Sequence, residues 1–219
     1  MIPLRDSTPG EHFPIITVVL IILNSLIFFY ETTLGHEGLD QFAYIFGMVP
    51  AYYTNHQVPL IGYLPFITSL FLHGSLMHLV GNMWILWLFG DNVEDKMGPV
   101  RFLGFYLLCG ILAGVAHYIF NINSQIPIIG ASGAVAGVMG AYFLMFRKAR
   151  VLTYVFPIFL LNLPAWIFLG FWALSQLYAG AAGLLAVGSQ QDVAFWAHVG
   201  GFAMGMALFK QFLRKPVMT

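Results

Sequence analysis

Six times along this chain the sequence passes through roughly 20 residues almost free of charge, the length an α-helix needs to cross about 30 Å of hydrocarbon. The stretches are 13–30, 64–89, 102–120, 126–146, 151–174 and 193–213. Hydrocarbon offers the backbone no hydrogen-bonding partners, so each crossing must satisfy its own N–H and C=O groups, which a helix does. Only 8% of the residues are charged, against roughly a quarter in a soluble domain. The expectation is an all-α, polytopic membrane protein: one domain over 1–219 with six transmembrane helices. The breaks suit this reading, because 91–98 is charged and runs into Gly98-Pro99, 121–125 is polar and 147–150 is basic. Two connections are longer, 31–63 and the Gly- and Ala-rich 175–192, both read as loops.

Lysine and arginine collect on the cytoplasmic side of membranes. Arg5, Lys96, Arg101, Arg147, Lys148, Arg150, Lys210, Arg214 and Lys215 all fall on one side of six spans, which puts both termini in the cytoplasm, residues 1–12 as a short cytoplasmic arm and 31–63 outside. The arm carries charges and proline with no small-residue cleavage site after the first apolar run, so span one stays in the protein and the plasma membrane is the expected compartment. Nine basic residues balance nine acidic ones, which leaves no cationic face for nucleic acid. A lone Cys109 excludes an intramolecular disulfide and a cysteine-based zinc site.

Strongly polar side chains are costly at membrane depth, so those present are candidates for function. They are His73, His78 and Asn82 in the second span, His117 in the third, Ser132 in the fourth and His198 in the sixth. At about 1.5 Å per residue, Ser132 lies about 22 Å above Arg147, His198 about 18 Å above Lys210 and His78 about 20 Å above Asp91. Three helices thus bring polar groups to one depth, in the outer half of the bilayer. His78 and Asn82 share a face, whereas His73 points away from His78. Gly133 and Gly137 in span four and Gly201 and Gly205 in span six repeat a small-xxx-small spacing that lets helices approach closely, which would bring the Ser132 hydroxyl to the His198 imidazole. A serine nucleophile needs such a base. Oxyanion donors are at hand in Asn82, the His78 ring and the Ser132 backbone N–H.

At these residues the sequence resembles the rhomboid family of intramembrane serine proteases, in its prokaryotic form. The matching pieces are His78-x-x-x-Asn82, Gly130-Ala131-Ser132-Gly133 and Ala197-His198-x-x-Gly201, with 71–78 and 90–98 similar around them. The resemblance covers about residues 42–210. It implies a Ser132–His198 dyad without an acidic third member, with Ser132 as nucleophile, His198 as general base and acid, and His78, Asn82 and the Ser132 amide as oxyanion hole. Gly130, Gly133, Gly137, Gly201 and Gly205 would pack the helices around it. The implied reaction is hydrolysis of peptide bonds in or near transmembrane segments of other proteins. It also implies that 31–63 lies partly in the membrane as a brace, and that span five and 175–192 form gate and cap. Ala136 stands where many members carry an aromatic stacked on the catalytic imidazole, so another group is expected to hold His198. The Trp-Arg pair common before span two is replaced by Tyr63-Leu64-Pro65-Phe66.

Each residue also has an ordinary use: Ser132 as a helix-start cap, His198 as a buried histidine on a carbonyl, His78 and Asn82 as interhelical bonds. Their common depth and order favour catalysis. The alternative function is a catalytically inactive rhomboid-like protein that binds transmembrane clients. No metal or cofactor is expected, since Glu31, Glu37 and Asp40 are assigned to the outer loop, away from the histidine faces. Glu94 is read as structural and Cys109 as packed inside the third span. The expected partners are transmembrane substrates and the lipid bilayer.

Overall fold

A computed structural model describes residues 1–55, 58–157, 159–185 and 194–214. Helix α7 (Ser132–Met145) is its axis: ten of its fourteen residues are buried. Around it stand α5 (Leu76–Met97), α6 (Pro99–Phe120), α8 (Ala165–Leu185) and α9 (Phe195–Phe212), with α1 (Ile15–Glu31) packed on α5. Small residues allow this. A Cβ added to Gly201 or Gly205 of α9 would run into the carbonyl oxygen of Gly133 or Gly137 of α7, so the two backbones touch along this seam. Cys109 is fully buried in α6, where its Cβ lies 2.5 Å from where a Cβ on Gly137 would stand. The outward surface is apolar instead, with Leu26, Phe29, Trp87, Phe171, Leu174 and Tyr178 exposed, as a lipid-facing surface requires.

The fold is mostly helical, but the all-α expectation is corrected. Strand β1 (Ile2–Asp6) from the N-terminal arm joins β2 (Arg150–Val155) and β3 (Phe159–Pro164) in an antiparallel sheet of order β1-β2-β3. An apolar run containing β-branched residues reads equally as buried helix or strand by hydrophobicity alone. Here Val151 and Thr153 alternate inward, and Pro164 ends the hairpin. Span five therefore begins at Ala165, not at 151, and continues as helix to Leu185 through residues assigned to a loop. The rest of that expected cap, 186–192, lies outside the described residues, as do Val193 and Lys215.

The second stretch is also not one rod. Its segments Leu60–Phe71 and Leu76–Met97 meet at 83°, and Ser75 starts α5 by accepting the His78 backbone N–H at 3.2 Å. The fourth stretch is helical only from Ser132 onward. Among the described residues, α6 and α8 are long and apolar enough to cross a membrane, and the bent pair makes a third; α1 and α7 are shorter apolar helices.

The 31–63 connection is largely ordered into α2 (Gly35–Phe46), α3 (Pro50–Asn55) and a 3-10 turn (Leu60–Tyr63), followed by α4 (Pro65–Thr68) and a second 3-10 turn (Ser69–Phe71). In place of a Trp-Arg pair, Tyr53 packs against Tyr63 and Phe66 at ring separations of 5.5 and 5.1 Å, and Thr68 Oγ1 donates to the Phe46 carbonyl at 2.6 Å.

At the opposite end, where the sheet sits, the Glu94 carboxylate accepts the backbone N–H groups of Ile16 and Thr17 at 2.9 and 2.8 Å and the Thr17 hydroxyl at 2.9 Å. An anion there satisfies the free donors at the start of α1 and its positive dipole end. Nearby, Asp6 accepts from Tyr142 Oη at 2.5 Å and from Asn92 Nδ2 at 3.0 Å, and Asn92 also donates to Asp91.

Candidate active site

Three local features bring the site together. Residues 126–131 lead into α7 without regular structure, held by an isolated bridge between Ile128 and Met48 and by the Gly130 N–H donating to the Ser69 carbonyl at 2.8 Å. Gly130 has φ +123°, and a Cβ there would stand 2.6 Å from the His78 ring, so only glycine makes this turn without strain. The turn delivers Ser132 as the first residue of α7, where its backbone N–H has no helical partner. Across the glycine seam, His198 on the first turn of α9 meets it: Ser132 Oγ and His198 Nε2 are 2.8 Å apart.

The other ring nitrogen has a partner that the sequence reading missed. His198 Nδ1 lies 2.7 Å from Gln176 Oε1 on α8, and the Gln176 amide nitrogen donates to Ser175 Oγ at 3.2 Å. Trp172, one turn earlier on α8, lies 5.9 Å from the imidazole, and Phe195 meets it edge-on at 6.4 Å. These side chains surround His198, and Ala136 is fully buried in α7. The spacing Trp172-x-x-x-Gln176 would have put both on one helix face, had the helix been carried beyond residue 174.

His78 and Asn82 lie on α5 facing the same cavity, of about 950 Å³, which Ser132, His198 and His117 also line. Asn82 Nδ2 donates to His73 Nε2 at 3.0 Å, leaving its second N–H free. Two sequence readings are corrected here. His73 does not point away from His78: it lies in the break between the two helical segments, and the two rings lie 5.1 Å apart. Nor is Glu31 a loop residue remote from the histidines, since it ends α1, is 2% exposed and accepts the His73 backbone N–H at 3.2 Å. Among the described residues no group of three or more His, Cys, Asp or Glu is placed to hold a metal ion.

A hydroxyl with an aligned base, a free helix-start N–H and a carboxamide, all opening on one cavity, can perform acyl transfer. Residues 62–215 match the family described as the Rhomboid domain. The chain is 33% identical over 128 residues to the rhomboid protease GluP of Bacillus subtilis, covering 58% of this chain and 24% of that protein. It is 30% identical over 169 residues to Rhomboid protein 1, mitochondrial, of Saccharomyces cerevisiae, covering 75% and 44%. Against the human presenilin-associated rhomboid-like protein, mitochondrial, it is 29% identical over 110 residues, covering 49% and 29%. The chain thus spans less than half the length of each of these relatives. The match runs from before α4 to the end of α9 and includes every residue lining the cavity, and on that ground the chain belongs to the rhomboid family.

Proposed function

We propose that this protein is an intramembrane serine endopeptidase that cuts peptide bonds in or near transmembrane segments of other membrane proteins. The observation that carries the reading is the 2.8 Å pair of Ser132 Oγ and His198 Nε2 facing a shared cavity. Ser132 Oγ attacks the scissile carbonyl carbon as its proton passes to His198 Nε2. The resulting oxyanion takes hydrogen bonds from the Ser132 N–H, Asn82 Nδ2 and the His78 ring. Collapse breaks the C–N bond, with the His198 proton going to the leaving amine. Water, deprotonated by His198, then hydrolyses the ester. Gly130, Gly133, Gly137, Gly201 and Gly205 hold the two reacting helices at this separation.

The setting we propose is six crossings, with 1–219 as one domain and both termini in the cytoplasm. The basic residues gathered at the sheet end support this orientation. The active cavity then opens toward the outer side. The compartment we propose is a plasma membrane.

The test is labelling of purified protein in detergent with a fluorescent fluorophosphonate. Wild type should be labelled, and Ser132→Ala and His198→Ala should not. A folded wild type that resists both this probe and a smaller isocoumarin would instead favour a client-binding role. Asn82→Ala should lower turnover of a quenched transmembrane peptide by roughly 10- to 1,000-fold, as loss of one oxyanion donor does. An unchanged rate would remove Asn82 from the oxyanion hole.

A further inference from the structure

Building on the proposed protease reading, we infer that Gln176 is a positioning residue for the catalytic base, making the working unit Ser132–His198–Gln176 rather than a dyad. The inference rests on the direction of two hydrogen bonds. Gln176 Nε2 is engaged by Ser175 Oγ, which turns Oε1, an acceptor without a hydrogen, toward His198 Nδ1 at 2.7 Å. A neutral imidazole carries one N–H, so this contact requires it on Nδ1. Nε2 then presents its lone pair to Ser132 Oγ, 2.8 Å away, as a general base must. With the hydrogen on Nε2 instead, the ring could only donate to the serine and could not take its proton. The amide also accepts from the imidazolium formed during attack, holding the ring in place when it becomes charged.

The location of the contact adds a consequence. Helix α8 has four buried residues, Ala165, Phe168, Leu169 and Gly180, far fewer than α7. Among the described residues, the His198–Gln176 bond is the one side-chain hydrogen bond tying α8 to another helix. Displacing α8 from α9 therefore removes the acceptor, and the base is correctly set only while α8 is packed.

The experiment measures fluorophosphonate labelling of wild type, Gln176→Met and Gln176→Glu in detergent across pH, resolving kinact from KI. Methionine keeps the size and removes the acceptor: kinact should fall roughly 10- to 1,000-fold with KI within about threefold, a partial loss of the roughly 10²- to 10⁴-fold that general acid–base catalysis supplies. Glutamate keeps an acceptor and adds charge. It should restore kinact to within about tenfold of wild type, and it should move the acid limb of the pH profile upward, because a carboxylate favours the imidazolium. The other titratable groups facing the ring, His78 from α5 and His117 from α6, are unchanged in these variants. In ¹⁵N spectra of histidine-labelled protein, the Nδ1-protonated signal missing from His198→Ala should be present in wild type and lost in Gln176→Met, independent of reactivity and diagnostic of fold.

Two results would overturn the inference: an unchanged kinact in Gln176→Met, or equal slowing in both variants with no movement of the acid limb. Were wild-type Ser132 not labelled at all, the protease reading itself would fall, and this inference with it. Labelled wild type with indifferent Gln176 variants would sink the positioning role alone.

Discussion

Alanine at Ser132 or at His198 should each reduce cleavage of a transmembrane substrate by roughly 10⁴-fold or more, and the double variant should be no slower than the worse single one. The reason is that neither group acts alone. The serine hydroxyl is un-ionised without a base, and the imidazole has no nucleophile to activate without the hydroxyl. Their only shared coordinate is the 2.8 Å contact, so removing either end removes the whole function. Asn82→Ala should likewise have little further effect on the Ser132→Ala background, since no oxyanion forms there. Both single variants should keep the Tm of wild type within a few degrees, because Ser132 and His198 are only partly buried at the cavity wall. Additive losses, with the double variant slower by the product of the two, would mean independent roles and would break the assignment.

What was legible in the sequence follows from what the bilayer dictates. Polar side chains in apolar runs are few, and the basic ends of the helices act as depth markers. Ser132, His198 and His78 could therefore be brought to one level by counting residues, and Asn82 to the face of His78 by its spacing of four. The glycine spacing of 133, 137, 201 and 205 then predicted which helices approach. The same logic failed where apolar character alone had to choose a conformation. Residues 150–164 are apolar enough for a helix, yet pairing with the N-terminal arm makes them a hairpin. Span five therefore starts fourteen residues later than apolar character suggests, at Ala165 and not at 151, which puts Gln176 on a helix face and not in a loop. The direction of His73 is hidden in the sequence for a related reason. Between it and His78 the chain bends by 83°, and there the 100° per residue of a helix no longer sets direction.

The seam that brings Ser132 to His198 is also where one methyl group should do the most damage. Gly205→Ala places a Cβ against the Gly137 carbonyl, and the atoms it meets are backbone, O, C and Cα of Gly137, not the movable end of a side chain. The helices must separate along their length, since α7 is held on its other faces by α5 and α6. In lipid no hydrophobic force draws helices together, so lost van der Waals contact is not offset. A cost of about 4 kcal/mol or more places this among the most severe single substitutions, lowering Tm by roughly 10 °C. Gly104→Ala on α6 is the control. The same methyl group there meets only the Phe212 ring at an ordinary 3.5 Å, and alanine should gain up to about 1 kcal/mol of helix propensity over glycine. One substitution type should thus give opposite signs at two helical positions. Thermal unfolding in detergent reads both, and Gly205→Ala as stable as Gly104→Ala would show that α7 and α9 do not meet backbone to backbone. Labelling adds a second axis. A Gly205→Ala protein that still folds at low temperature should lose reactivity at Ser132, because any widening of the seam lengthens the Ser132–His198 contact before it disturbs either residue's own helix.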